Sequence, residues 1–214
     1  MTSVWSLVGP AALAAMAYLF LTARAESLLR SVTKTAAVAL LALAALVLGL
    51  PALLVLALAA CALGDLLLSR NGETAFMGGV GAFALGHLFY IALFLTQPEA
   101  DPSRLLAWPA ALPAVGLLLL GGVAARILAP KAGALKGPVL AYIPIILGMG
   151  LAALTLGEGR GLILAAAFAF VFSDLILATE KFLLPGGHGL LRWTPYAIWV
   201  LYWGAQFGFF AAFA

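Results

Sequence analysis

The sequence predicts an all-α, polytopic membrane protein, a bundle of eight transmembrane helices making one transmembrane domain over residues 1–214, and three observations carry that prediction. Hydrophobic residues are 65% of the chain and charged residues 9%, too little polar surface to cover a water-soluble globule. Apolar runs of about 17 to 25 residues recur along the whole length, which fits helices, whereas barrel strands would alternate every second residue. The basic residues, finally, sort to one side of the topology that these runs define.

The first run, residues 4–21, has no basic residue before it and is read as an anchored span, although Ala23-Arg24-Ala25 loosely imitates a signal cleavage site. After a polar connection (Arg24, Glu26, Arg30, Lys34), residues 35–68 run for about two membrane thicknesses with Asp65 as their only charge. Gly49-Leu50-Pro51 in the middle predicts a tight helical hairpin, so this stretch makes spans two and three. Span four is expected over 76–96, span five over 105–125, span six over 137–156, span seven over 162–179 and span eight over 195–213.

Eight spans put both termini on one side. The loops on the opposite side then hold Arg24, Arg30, Lys34, Arg70, Arg126, Lys131, Lys136, Lys181 and Arg192, nine of the 11 basic residues, against Arg104 and Arg160 on the side of the termini. Were 35–68 a single span, the split would be six to five and the bias would vanish. Both termini are therefore expected on the non-cytoplasmic side. The Ala, Leu and Gly-rich composition points to a bacterial inner membrane. A net charge of +3 without a dense basic run argues against nucleic acid as a partner, and the single cysteine, Cys61, leaves no internal disulfide.

Two carboxylates lie deep inside apolar runs, Asp65 in Ala-Leu-Gly-Asp-Leu-Leu-Leu and Asp174 in Phe-Ser-Asp-Leu-Ile-Leu. In the eight-span topology both descend toward the cytoplasmic side and lie roughly 6 to 9 Å below that surface, at 1.5 Å per residue. An ionisable group at membrane depth costs several kcal/mol unless it is partnered or neutral, so each is a functional candidate; the plain alternative is a helix-tying hydrogen bond. In span four, Phe76, Phe83, His87 and Tyr90 share one face, beside a small-residue strip of Gly78, Ala82 and Gly86 that lets a neighbouring helix come close. Tyr142, Tyr202 and Gln206 place a hydroxyl or an amide where partners are needed. Lys34 can reach an anionic head group or an Asp, or snorkel at the boundary. Arg70, Lys181 and Arg192 ring the cytoplasmic mouth. Two acids and one His, at different depths, do not argue for a metal, and no HExxH, GxSxG or phosphate-binding Gly loop is present.

These residues together resemble the YhhN family of lysoplasmalogenases: Gly64-Asp65-Leu66-Leu67-Leu68, the stretch 76–94 with its His and Tyr, Tyr142 and Met149, Phe172-Ser173-Asp174 with Leu177-Ala178, and Tyr202 with Gln206. The family usually has Lys-Pro entering span two, where this chain has Lys34-Thr35. The resemblance implies eight spans and hydrolysis of the vinyl ether bond of a lysoplasmalogen, a 1-alkenyl glycerophosphoethanolamine or glycerophosphocholine, to a fatty aldehyde and the glycerophospho head group. It implies Asp65 and Asp174 as catalytic acids, and it implies no cofactor.

Vinyl ether chemistry suits such a pair, since protonation of the β-carbon gives an oxocarbenium ion to which water adds, as at the two carboxylates of a glycosidase. Lys34, His87, Tyr90, Tyr142, Tyr202 and Gln206 are the expected substrate-binding residues, around a lysophospholipid entering sideways from the inner leaflet with its head group at the cytoplasmic mouth. Which Asp is the acid stays open, as does oligomeric state. A proton-coupled transporter or lipid carrier is the alternative from another class, and it needs a path open to both faces. An intramembrane aspartyl protease fits poorly, because Ala62 replaces the first Gly of its GxGD pattern and Pro51-Ala52-Leu53 precedes the first Asp.

Overall fold

The computed structural model describes residues 5–214, which form eight α-helices with no strand among the described residues. They are α1 (Trp5–Leu21), α2 (Leu28–Val47), α3 (Ala52–Leu68), α4 (Glu73–Leu95), α5 (Ala111–Leu128), α6 (Lys136–Leu154), α7 (Gly161–Phe182) and α8 (Thr194–Phe213). Six are long and apolar enough to cross a membrane; α1 and α3, 17 residues each, are apolar but shorter. Val4, the expected start of the first span, lies outside the described residues.

Helix ends differ from the expected spans where local chemistry outweighs hydropathy. α2 starts at Leu28 rather than at residue 35, because the Ser27 hydroxyl caps it by accepting from the Arg30 N–H at 3.2 Å. Lys34 is thereby carried nearly two turns into the helix instead of sitting at its start. The α2–α3 hairpin forms at the expected Gly49-Leu50-Pro51. Gly49 takes φ +68°, the Leu50 N–H bonds the Ala45 carbonyl and the Gly49 N–H that of Leu46, a Schellman closure that needs a residue without Cβ. α5 begins at Ala111 and not at residue 105, since 102–106 wind into a 3-10 turn capped by Asp101, whose Oδ1 accepts from the Ser103 N–H at 2.9 Å. α7 runs on to Phe182, past the expected end at residue 179. Asp65 is then three residues from its helix end and Asp174 eight, about 4.5 and 12 Å, so equal depth does not follow from helix length.

The helices close into a ring. α2 packs on α3, α3 on α4, α4 on α6, α6 on α7 and α7 on α8, and α8 returns to α2 and α3. α1 is wedged against α2 and α8, while α5 lies outside, packed chiefly on α6 and on the 3-10 turn. The α3–α4 seam is the tightest. A Cβ on Gly64 would stand 2.7 Å from the Phe83 ring, one on Gly79 2.7 Å from Leu68 and one on Gly86 2.7 Å from Cys61 Sγ and 3.3 Å from the Ala57 carbonyl. Gly86→Val is expected to cost about 1–3 kcal/mol by forcing the two helices apart, seen as a lower unfolding midpoint in detergent; an unchanged midpoint would mean that the seam is slack.

On the far side from the basic loops, the Arg160 Nε donates to Glu99 Oε1 at 2.5 Å and clasps the α6–α7 turn to the α4–α5 loop. Its own backbone N–H and the Arg160 guanidinium hold the Glu99 carboxyl below the usual glutamate range. The clasp therefore acts at neutral pH and lets go as pH falls through that lowered value.

Candidate active site

The ring turns its polar side chains inward, and they gather in three groups. The first forms around Asp65, in the last turn of α3 and wholly buried. Lys34 Nζ, from α2, lies 3.2 Å from its Oδ1, and the Tyr202 hydroxyl, from α8, donates to its Oδ2 at 2.7 Å. Of the two anionic partners open to Lys34 from the sequence, the chain supplies the Asp. Tyr18 of α1 adds a ring face 6.0 Å from Lys34 Nζ and 5.6 Å from the Arg30 guanidinium, and it packs edge-on against Trp199. Sequence reading passed over Tyr18, since a lone Tyr in an apolar run carries no signal that separates it from a packing residue.

The second group forms around Asp174 on α7. The Tyr142 hydroxyl, from α6, donates to its Oδ2 at 2.6 Å, and His87 Nε2, from α4, stands 3.9 Å from the same oxygen. His87 Nδ1 is 2.6 Å from the Phe83 carbonyl, which only accepts, so Nδ1 carries a proton and, in the neutral ring, Nε2 keeps its lone pair facing Asp174. Nε2 has no hydrogen-bond partner within the chain. The 3.9 Å gap is too long for a direct bond. His87 reaches Asp174 despite the depth difference expected between them.

The third group is a buried pair: the Tyr90 hydroxyl donates to Gln206 Oε1 at 2.5 Å. Gln206 therefore serves Tyr90, not the Tyr202 that precedes it by one turn on α8. Between the first two groups stands an aromatic partition. Phe83 meets Phe170 and Tyr202 edge to face, and Phe170 also packs on His87 and Tyr202, with centroids 4.3 to 6.3 Å apart.

The two acids differ in access. A cavity of about 120 Å³ runs between α4, α5, α6 and α7, almost wholly apolar, with Asp174 and Tyr142 on its wall. The Asp174 side chain is 15% exposed, whereas that of Asp65 is 0% exposed and lies off the cavity. At one end the cavity adjoins a polar chamber lined by Arg70, Asn71, Glu73 and Lys181, the two sharing Leu68, Phe76 and Lys181 as walls. Arg192, expected at the same mouth, stacks on Trp193 instead. No group of three or more His, Cys, Asp or Glu side chains among the described residues is placed to hold a metal ion.

An apolar cavity with an acid on its wall and cations at its end is shaped for an amphiphile. Neither a curated protein nor a solved structure matches the chain. The match to a family description covers residues 29–213, hence α2 to α8 apart from its first residue, with both acids, Lys34, His87 and the interior tyrosines of α4, α6 and α8, and by it the chain belongs to the YhhN family.

Proposed function

We propose that the protein is a membrane-embedded hydrolase of lysoplasmalogens, splitting the vinyl ether of a 1-alkenyl glycerophospholipid into a fatty aldehyde and the glycerophospho head group. Eight spans in a single transmembrane domain, both termini outside, and a site opening toward the cytoplasm of a bacterial inner membrane complete the reading. The observation that carries it is Asp174, a carboxyl on the wall of an apolar cavity with His87 Nε2 3.9 Å away.

Asp174 is the acid in this scheme. Its proton goes to the vinyl β-carbon, and the electron pair of the double bond leaves an oxocarbenium ion at the carbon next to oxygen. Water admitted beside Asp174 when the substrate binds attacks that carbon and gives its proton to His87 Nε2. In the resulting hemiacetal the imidazolium returns the proton to the glycerol oxygen as the C–O bond breaks, and the hemiacetal hydroxyl returns its proton to Asp174. Both groups end as they began. The Asp65–Lys34 pair lies behind the aromatic partition and acts through its field and through Tyr202 rather than by contact. A transporter reading gains less support, because the cavity serves one acid and one polar mouth.

The test is aldehyde release from purified protein given a 1-alkenyl lysolipid in heavy water. One deuterium is expected at the aldehyde carbon next to the carbonyl, and none of the saturated 1-alkyl analogue should be cleaved. Folded protein that releases no aldehyde from either the ethanolamine or the choline lipid would overturn the reading.

A further inference from the structure

The polar chamber beside the cavity has no role in the chemistry above. Four polar side chains line it: Arg70 and Asn71 from the α3–α4 loop, Glu73 in the first turn of α4 and Lys181 in the last turn of α7. Arg70, Glu73 and Lys181 enter none of the close acid–base contacts among the described residues, which are Lys34–Asp65, His87–Asp174 and Arg160–Glu99. Three charges, two positive and one negative, thus line one space without a close ion pair between them. Lys181 stands at its junction with the apolar cavity, Nζ 4.8 Å from the Phe76 ring centroid, and both residues line both spaces.

We propose that this chamber binds a phosphodiester carrying a primary ammonium group, Arg70 and Lys181 taking the phosphate and Glu73 the ammonium, so that it selects an ethanolamine over a choline head group. The proposal rests on the hydrolase reading for its substrate but on separate residues for its geometry.

Spacing along α7 supports it. Asp174 and Lys181 are seven residues apart, two turns on one face, with Ala178 between them also on the cavity wall, so their Cα atoms are about 10.5 Å apart. In an alkenyl lysolipid seven bonds separate the vinyl β-carbon from phosphorus, roughly 9 Å when extended. An acid at one position and a phosphate ligand at the other fit one molecule. The charges fit as well, for a guanidinium and an ammonium answer a phosphodiester and a single carboxylate answers the amine. A primary ammonium donates hydrogen bonds to a carboxylate, and a trimethylammonium has none to give.

The probes are the saturated 1-alkyl lysophosphoethanolamine and lysophosphocholine, which cannot be hydrolysed by this route, titrated into the full chain in nanodiscs by calorimetry. Wild type is expected to bind the ethanolamine lipid about tenfold tighter. Glu73→Gln should bring the two affinities together, and Lys181→Met should weaken both by about tenfold with the ratio kept. Both variants change exposed side chains, and elution as wild type verifies their fold. A ratio near one in wild type, or a ratio unmoved by Glu73→Gln, overturns the proposal. If aldehyde is released while the ratio stays unmoved, the hydrolase reading stands and the head-group site falls. If the saturated lipids bind with the expected preference and no alkenyl lipid is cleaved, the site stands and the reaction falls.

Discussion

Asp174→Asn is expected to reduce aldehyde release by about 10²–10⁴-fold while leaving the protein folded. Asparagine keeps the size of the side chain, and its carbonyl oxygen still accepts from the Tyr142 hydroxyl that now donates to Asp174 Oδ2 at 2.6 Å. Packing and hydrogen bonding therefore change little, and the unfolding midpoint in detergent should move by no more than a few degrees. What disappears is the proton for carbon. General acid catalysis contributes about 10²–10⁴ in rate, and the cavity wall carries no second carboxyl to replace this one. Tyr142, the hydroxyl on that wall, is a far weaker acid by its chemistry. The measurement is single-turnover aldehyde release with the alkenyl lysolipid, alongside size-exclusion elution of the variant. A folded Asp174→Asn protein retaining more than a tenth of wild-type turnover would move the acid elsewhere.

The second large effect is on stability, at the other acid. Asp65 is wholly buried and Lys34 partly so, their atoms 3.2 Å apart, and neither charge has another of opposite sign beside it among the described ion pairs. Removing one partner leaves the other uncompensated in an apolar interior, at about 3–5 kcal/mol. Lys34→Met and Asp65→Asn should each lower stability by that order. The double variant removes both charges and should recover most of the loss, so the cycle reads the coupling directly. Additive losses would mean that the two side chains act independently. Activity in the double variant then separates structure from catalysis. With the fold restored, turnover is expected to stay roughly 100-fold down, from the missing field at the oxocarbenium ion. Wild-type turnover in that variant would leave Asp65 and Lys34 a purely structural pair.

Much of this architecture was legible in the sequence because it depends on local chemistry. The hairpin at Gly49-Leu50-Pro51 follows from one glycine with φ +68° and a proline that starts the next helix. The two acids stood out because an ionisable group in an apolar run is costly unless it is partnered or neutral. Other features depend on partners far along the chain. α7 passes residue 179 because Glu180 accepts a hydrogen bond from the Thr194 hydroxyl and Lys181 lies over Phe76, which makes charged residues tolerable in its final turn. Residues 105–108 read as part of a span by hydropathy, yet they lie in and just after the 3-10 turn, ahead of α5. The unequal access of the acids was hidden for the same reason. Rotation of α3 about its axis is set where Phe83 presses on Gly64, one residue from Asp65, and no periodicity records that contact.

On the proposed reaction, the placement of α5 bears on which features of a lipid the site discriminates. One face of α5 supplies Leu120, Gly121, Ala124 and Leu128 to the cavity, and the other bears the exposed Leu118, Leu119 and Val123. Moored chiefly to α6, it is the wall with fewest attachments. A rigid wall would measure a hydrocarbon tail; a lightly held one accommodates tails of many lengths. On the proposed reaction, selectivity is then exercised at the charged end of the lipid and indulgence at the greasy end, and the freed aldehyde departs into the bilayer while the head group departs into water.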